Sequence, residues 1–444
     1  MKKKKVKIHH NIYIYTIIPL LAIAAIVYVD RTSIISYAYT LSIFFVFHHF
    51  FLDEKERDRN FCYFHYYLVF ALVLTCIFRY QIPEYLGMTG PEGGIGTDDC
   101  RFYAQIVAGK DIMYPVHISL IRMHHFSTFI MKTFPFEVET PLNIVIFNLL
   151  GVCFLPYYMK KLTYELFKDE KLASKAAFLS LLCPFTTYYG SILMRDMFVT
   201  ELVVAGMYYY LRRNYVGVGI AALILLYIRF GSFAYLMTGI LLIMRRDMIL
   251  ANKSTVRFTF LMILLIIAFY LSYEIVQEMS GGKLGESILR STNKRYFQHT
   301  TISRIATLPI PLNIIFGTAF FFVCPIFGIS FNTIDNVFVM SRYFHSTFNG
   351  LFFFFLWPLI FNAIMSFLNR KNPNLQLIVL ITLSFCALLG TIDLQIRHKT
   401  VVYPFFCLLG AYGLVRYDKK VKLSSFILGS SMILLQLMIF IVSL

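Results

Sequence analysis

The sequence predicts an all-α fold: one polytopic membrane domain of about 13 transmembrane helices, with interfacial and re-entrant helices on its outer face. Three observations predict it. Hydrophobic residues make up 58% of the 444 and charged residues 15%, where a soluble domain carries about 25% charged. Apolar runs repeatedly reach the ~20 residues that cross ~30 Å of hydrocarbon as a helix, and they lack the period-two alternation of barrel strands. Finally, the Lys and Arg behind the net charge of +17 lie mostly in short turns between those runs. That is a topology signal. It is not the aromatic-interleaved basic surface of a nucleic-acid binder, so no nucleic acid is expected.

In order, span one covers about 11–29, and Lys2 to Lys5 with Lys7 hold its start in the cytoplasm. The N-terminus has the look of a signal peptide. With no small-residue cleavage site and a second span at once, it reads as a retained helix. Span two, about 33–52, returns to the charged turn 53–59, and span three, about 61–82, emerges outside. The external segment 83–140 is too polar to cross and too apolar to be free loop. Phe102 with Ile106, and Tyr103 with Val107, recur at helical spacing, as in helices lying among headgroups.

Span four, about 141–159, enters the cytoplasm at Lys160 and Lys161. A charged surface helix is expected at 162–175, and spans five to nine at about 176–193, 197–211, 216–228, 233–244 and 258–276. A second external loop, 277–307, is basic. If 308–331 crossed, the basic turn 416–422 would lie outside, against the positive-inside bias. Pro309, Pro311 and Pro325 interrupt that stretch, so it reads as re-entrant. The last spans are then about 347–368, 375–392, 401–415 and 423–443. No internal repeat is visible. Of eight cysteines only Cys100 sits in a loop, and no Cys-x-x-Cys occurs. Neither a zinc site nor a disulfide framework is supported.

This topology gathers the unusual ionisable residues on the outer face. Asp98, Asp99 and Arg101 follow the glycine run 93–96. Arg195, Asp196, Arg229, Asp393 and the Arg397, His398, Lys399 triplet sit at span ends. Cations on a face that the positive-inside bias should strip of them point to an anionic substrate, a lipid phosphate or diphosphate. In glycosyl transfer from a polyprenyl diphosphate the leaving group is already a good anion. Cations stabilise it, and one carboxylate suffices as base for the attacking hydroxyl. Asp99 or Asp98 is the expected base. Arg101, Arg195, Asp196, Arg229, Arg397, His398 and Lys399 are the expected substrate-binding residues. No cofactor and no metal site are expected, although a divalent ion is compatible with the paired carboxylates.

An apolar span followed by Gly-Thr-Asp-Asp-x-Arg-Phe-Tyr at 96–103, then interfacial helices, resembles the first external loop of GT-C membrane glycosyltransferases. Leu193-Met-Arg-Asp196 and Arg397-His-Lys-Thr-Val-Val-Tyr-Pro404 resemble segments of bacterial surface-polysaccharide (O-antigen or capsule) repeat-unit polymerases. The resemblance implies an inverting hexosyltransferase of the bacterial plasma membrane, with an acceptor-directed loop aspartate and external arginines on lipid-linked sugar. It also implies a polyprenyl-linked donor and acceptor, and other polysaccharide-assembly proteins as partners. The acidic loop follows span three here, whereas in GT-C enzymes it usually follows span one; an extra N-terminal hairpin accounts for that.

Plainer readings stand beside these. Asp98 and Asp99 also suit a helix cap, Arg195 and Asp196 a local ion pair, and Arg229 a snorkel to headgroups. Transfer of a single sugar from a polyprenyl phosphate is the alternative within the class. Outside it, a flippase is disfavoured by charges gathered at one face. An O-acyltransferase is disfavoured because His48, His49 and His65 lack an evident polar partner.

Overall fold

The computed structural model describes residues 13–81, 140–250, 312–323, 337–368, 372–390 and 396–416, with single positions at 308 and within 426–434. Among them there are helices and the turns between helices, and no strand. The expected span 258–276, nearly all of 423–443, and the external segments 83–139 and 277–307 lie outside the described residues. Among the described residues, three helices are long and apolar enough to cross a membrane by length and composition: Ser33–Phe50, Pro141–Phe167 and Thr347–Ser366.

A π-helical turn at Tyr13–Ile17 leads into α1 (Ile18–Asp30), α2 (Ser33–Phe51) and α3 (Glu54–Gln81). The charged turn expected at 53–59 is mostly the first turns of α3. Asp30 ends α1 and joins distant parts of the chain. Its carboxylate accepts from Thr32 Oγ1 at 2.8 Å, Ser33 Oγ at 2.7 Å and Thr140 Oγ1 at 2.6 Å. Thr140 precedes α4 (Pro141–Val152), and the Asn143 side chain accepts from the Thr140 N–H at 2.8 Å. Proline in the first turn and a side chain reaching back to the cap are sequence-local start signals. Asp30→Ala is therefore expected to cost about 2 kcal/mol, the scale of hydrogen bonds to a charged acceptor. The thermal unfolding midpoint of the purified protein checks it; an unchanged midpoint would mean that the tie is dispensable.

After α4 the chain continues almost in line as α5 (Phe154–Phe167). The surface helix expected at 162–175 is not one helix. Lys168 adopts φ 51°, a left-handed stop, and the Asp169 side chain accepts from Leu172 N at 3.0 Å to start α6 (Glu170–Leu182). The expected span 176–193 is broken as well. Pro184 has no N–H and drives Cys183 to extended backbone (ψ 115°). A short α7 (Pro184–Gly190) follows. The freed carbonyls find hydroxyl donors: Thr186 Oγ1 reaches Ser180 O at 2.9 Å, and Thr187 Oγ1 reaches Leu181 O at 3.1 Å. Then come α8 (Asp196–Leu211), α9 (Tyr215–Ile228) and α10 (Phe230–Leu250).

The C-terminal part comprises α11 (Leu312–Val323), α12 (Val337–Leu368), α13 (Pro373–Leu388), a 3-10 turn (Ile396–Val401) and α14 (Tyr403–Val415). Helices α12 and α14 run parallel: Asn349 Nδ2 donates to Tyr403 Oη at 3.2 Å, and Asn362 Nδ2 to Gly413 O at 2.9 Å. Gly317 of α11 lies against Gly390, backbone to backbone. The ring of Phe322, near the end of α11, lies tilted with its centre 5.4 Å from those of both Trp357 and Phe406. At 1.5 Å per residue Phe406 stands about 15 Å short of Arg416. Helix α12 begins at Val337, about 24 Å of helix ahead of Phe353, which is level with Phe406.

Charged turns meet at one end. Lys160 bonds Glu56 and Glu170, each at 2.9 Å; Arg212 bonds Glu165 at 3.1 Å, and Arg416 bonds Asp169 at 3.2 Å. Asn374, in the first turn of α13, accepts from Arg246 at 3.1 Å and donates to Leu166 O at 2.6 Å. Thr140 and Asp30 mark the other end. From Thr140 to Lys160 the α4–α5 rod rises about 30 Å, which is the hydrocarbon thickness of a bilayer.

Candidate functional site

The site is built where backbone stops being regular. Between α7 and α8, residues Ser191, Ile192, Leu193 and Met194 are buried without helix. Buried irregular backbone needs partners. Met194 O accepts from Asn148 Nδ2 at 3.1 Å, and Ser191 Oγ donates to Tyr67 O at 3.3 Å. The break leaves Asp196 in the first turn of α8, where the helix dipole favours a carboxylate.

Arg229 follows the last residue of α9 and leaves the helix at φ −163°. Its Nη1 donates to Asp196 Oδ1 at 2.9 Å, with the two side chains 15% and 4% exposed. Arg195 Nη1 donates to Ile228 O at 3.2 Å, satisfying a carbonyl that the end of α9 leaves open. The 3-10 turn Ile396–Val401 packs on α8. Within it Lys399 is fully buried, its Nζ 5.4 Å from the Tyr403 ring centre and 5.0 Å from that of Phe406. A cation over two aromatic faces is attracted by their quadrupoles. Tyr403 is set by Asn349 and by the rings of Phe185 (4.4 Å) and Phe353 (5.1 Å).

The α4–α5 rod measures the depth of this cluster. Asn148 is level with Met194 and lies about 12 Å along the rod from Thr140. The Asp196–Arg229 pair, two residues beyond Met194, is therefore recessed by about two fifths of the rod, rather than placed on its rim.

The structure thus brings Arg195, Asp196 and Arg229 together and sets the turn that carries Arg397, His398 and Lys399 beside α8. Asp98, Asp99 and Arg101, with the side chains of Arg397 and His398, lie outside the described residues. Asp196 pairs with Arg229, 33 positions on. Arg229, which sequence alone left free to snorkel outward, is turned into the bundle.

Two features were not legible beforehand. Glu201 is buried within α8, among Cys153, Tyr158 and Tyr209, beside a Tyr158–Tyr209 hydroxyl pair at 2.7 Å. A single Glu inside an otherwise apolar run was its available signal. The histidines expected to lack partners also have them. His65 shares hydrogen bonds with Tyr37 Oη (2.8 Å) and Phe61 O (2.8 Å), and His48 with Asn60 Nδ2 (3.2 Å) and Phe44 O (2.7 Å). Both nitrogens of each ring are engaged inside the bundle, which leaves neither ring an open acceptor for a substrate proton. Among the described residues no three His, Cys, Asp or Glu side chains are placed to hold a metal ion.

No family model matches the chain, and no curated protein or solved structure matches it. Fold and cluster together define a helical bundle with, among the described residues, three helices of membrane-crossing length and a recessed carboxylate–guanidinium pair.

Proposed function

We propose that the chain is a multi-pass glycosyltransferase of the bacterial plasma membrane, with its N-terminus cytoplasmic and its active face extracytoplasmic. Its substrates are polyprenyl-(di)phosphate-linked sugars, and its reaction joins repeat units of a surface polysaccharide. The recessed Asp196–Arg229 pair, with Arg195 and the Lys399 turn beside it, carries this reading. Charges at such a depth are costly unless paired or facing an aqueous cavity, and they mark substrate paths. The basic turns gathered at the Lys160 end support a cytoplasmic assignment for that end. The half-depth position of Phe322, with α12 starting far ahead of it, supports re-entry of 308–331.

In this reading Asp99 or Asp98 takes the proton of the acceptor hydroxyl while Arg101, Arg195, Arg229 and the 397–399 turn stabilise the departing diphosphate. Asp196 holds Arg229 in place. The test is polysaccharide length in cells carrying Asp99→Asn, with membrane insertion of the protein verified. Long chains are expected to fall by about 100-fold, the scale of losing one catalytic group, while single lipid-linked units still reach the outer face. Unchanged chain length would sink the role of Asp99, and addition of just one sugar by the wild type would favour the single-sugar transferase.

Glu201 favours a second reading, transport of lipid-linked sugar, because a carboxyl inside a span is a common feature of coupled carriers. Loss of all units from the outer face in Glu201→Gln, with polymerisation of supplied units intact, would select it.

A further inference from the structure

A crevice of 660 Å³ opens at the Lys160 end, between the Tyr13–Ile17 turn, the last turns of α2 and the first turn of α3. It lies far from the Asp196 cluster and plays no part in the chemistry above. Arg57, Asp58, His48 and His49 supply its polar lining, and Phe45, Val46 and Phe50 are among the apolar side chains that line the rest. Asp58 accepts the Tyr15 hydroxyl at 2.7 Å. Arg57 Nε is buried with no hydrogen-bond partner among the described residues, and no described carboxylate pairs with the guanidinium. A buried donor left in this state is costly unless something else accepts from it.

The walls say what that acceptor is attached to. Phe45, Val46 and Phe50 are 41%, 61% and 75% exposed, so the crevice continues onto an apolar flank of the bundle. A free inorganic anion would leave those walls unused. An anion carrying a hydrocarbon tail uses both halves. Its neighbours Lys160 and Arg59 are bonded to Glu56 and Glu170, so Arg57 is the lining cation without a described carboxylate partner.

We propose that this crevice holds the phosphate of an anionic phospholipid on Arg57, with an acyl chain laid over Phe45, Val46 and Phe50. The proposal rests on the membrane reading, and it places a structural lipid at the cytoplasmic leaflet, where anionic lipid is attracted to basic turns.

The test is native mass spectrometry of the purified full chain with equimolar phosphatidylglycerol and phosphatidylcholine. Wild type is expected to retain phosphatidylglycerol about tenfold better, because the choline cation of phosphatidylcholine offsets the charge of a phosphate that both lipids carry. Arg57→Gln is expected to bring the two lipids to parity. Arg57→Lys keeps the charge but not the planar fork, and should keep part of the preference; it also decides the matter if the glutamine variant fails to fold. Arg59→Gln, which removes an exposed partner of Glu56 (3.6 Å), should change nothing. Full preference in both Arg57 variants overturns the proposal, as does displacement of the lipid by millimolar inorganic phosphate, which would make this a free-phosphate site. A chain recovered outside the membrane fraction fails the membrane reading instead, and that fractionation is read separately.

Discussion

Replacing Asp196 by Ala is expected to destabilise the bundle by about 3 kcal/mol, the lower range for removing one partner of a buried ion pair. The carboxylate is 4% exposed and receives Arg229 at 2.9 Å. Removing it leaves a guanidinium that is 15% exposed without this acceptor. Arg229→Gln alone should cost a similar amount. The double variant should cost less than the sum, because neither charge is then stranded. Thermal unfolding of the four proteins closes the cycle. A coupling near zero would show that the two side chains are held independently, and the substrate-positioning role given to Asp196 would fall with it. Arg195→Gln removes the bond to the Ile228 carbonyl and should cost about 1 kcal/mol.

The second large effect concerns Gly413. A Cβ built there would lie 2.0 Å from the Leu359 carbonyl oxygen and 2.7 Å from its carbon. These are backbone atoms, which no rotamer change can move aside. Helices α12 and α14 approach this closely because glycine has no side chain at the contact, the small-residue packing of apolar helices. The Asn362–Gly413 hydrogen bond at 2.9 Å sits in the same contact. Gly413→Ala is expected to cost at least about 3 kcal/mol, the upper range for overpacking, read as loss of folded protein on size-exclusion chromatography. Gly219→Ala is the control, since nothing lies within 4 Å of its Cβ. It should be neutral or stabilising by up to about 1 kcal/mol, because alanine is the better helix former. Equal yields from both variants would mean that the two helices can part at little cost.

Much of the helix map was legible in the residues. The expected spans 33–52, 216–228 and 401–415 match Ser33–Phe51, Tyr215–Ile228 and Tyr403–Val415 to within two residues. In each case apolar composition and a polar stop act over a few positions, so a linear reading finds them. Misreadings fell where a single residue redirects the chain. Lys168 at positive φ and the Asp169 cap divided one expected helix, and Pro184 divided another. Both signals were present, but the hydrophobic pattern masked them.

The candidate site divides in the same way. That Arg195, Asp196 and Arg229 stand at helix ends follows from the sequence alone, because ionisable side chains interrupt the apolar runs there. So do the all-helical class and the gathering of basic residues in short turns. The tertiary structure alone decided which of the three face each other, how deep they lie, and that Glu201 and Lys399 are buried. The physical reason is range. Capping, apolar runs and proline breaks act within a few residues of the chain, whereas the Arg229–Asp196 bond spans 33 positions and depends on how α8 and α9 pack. Depth along the bundle depends on the α4–α5 rod beside them.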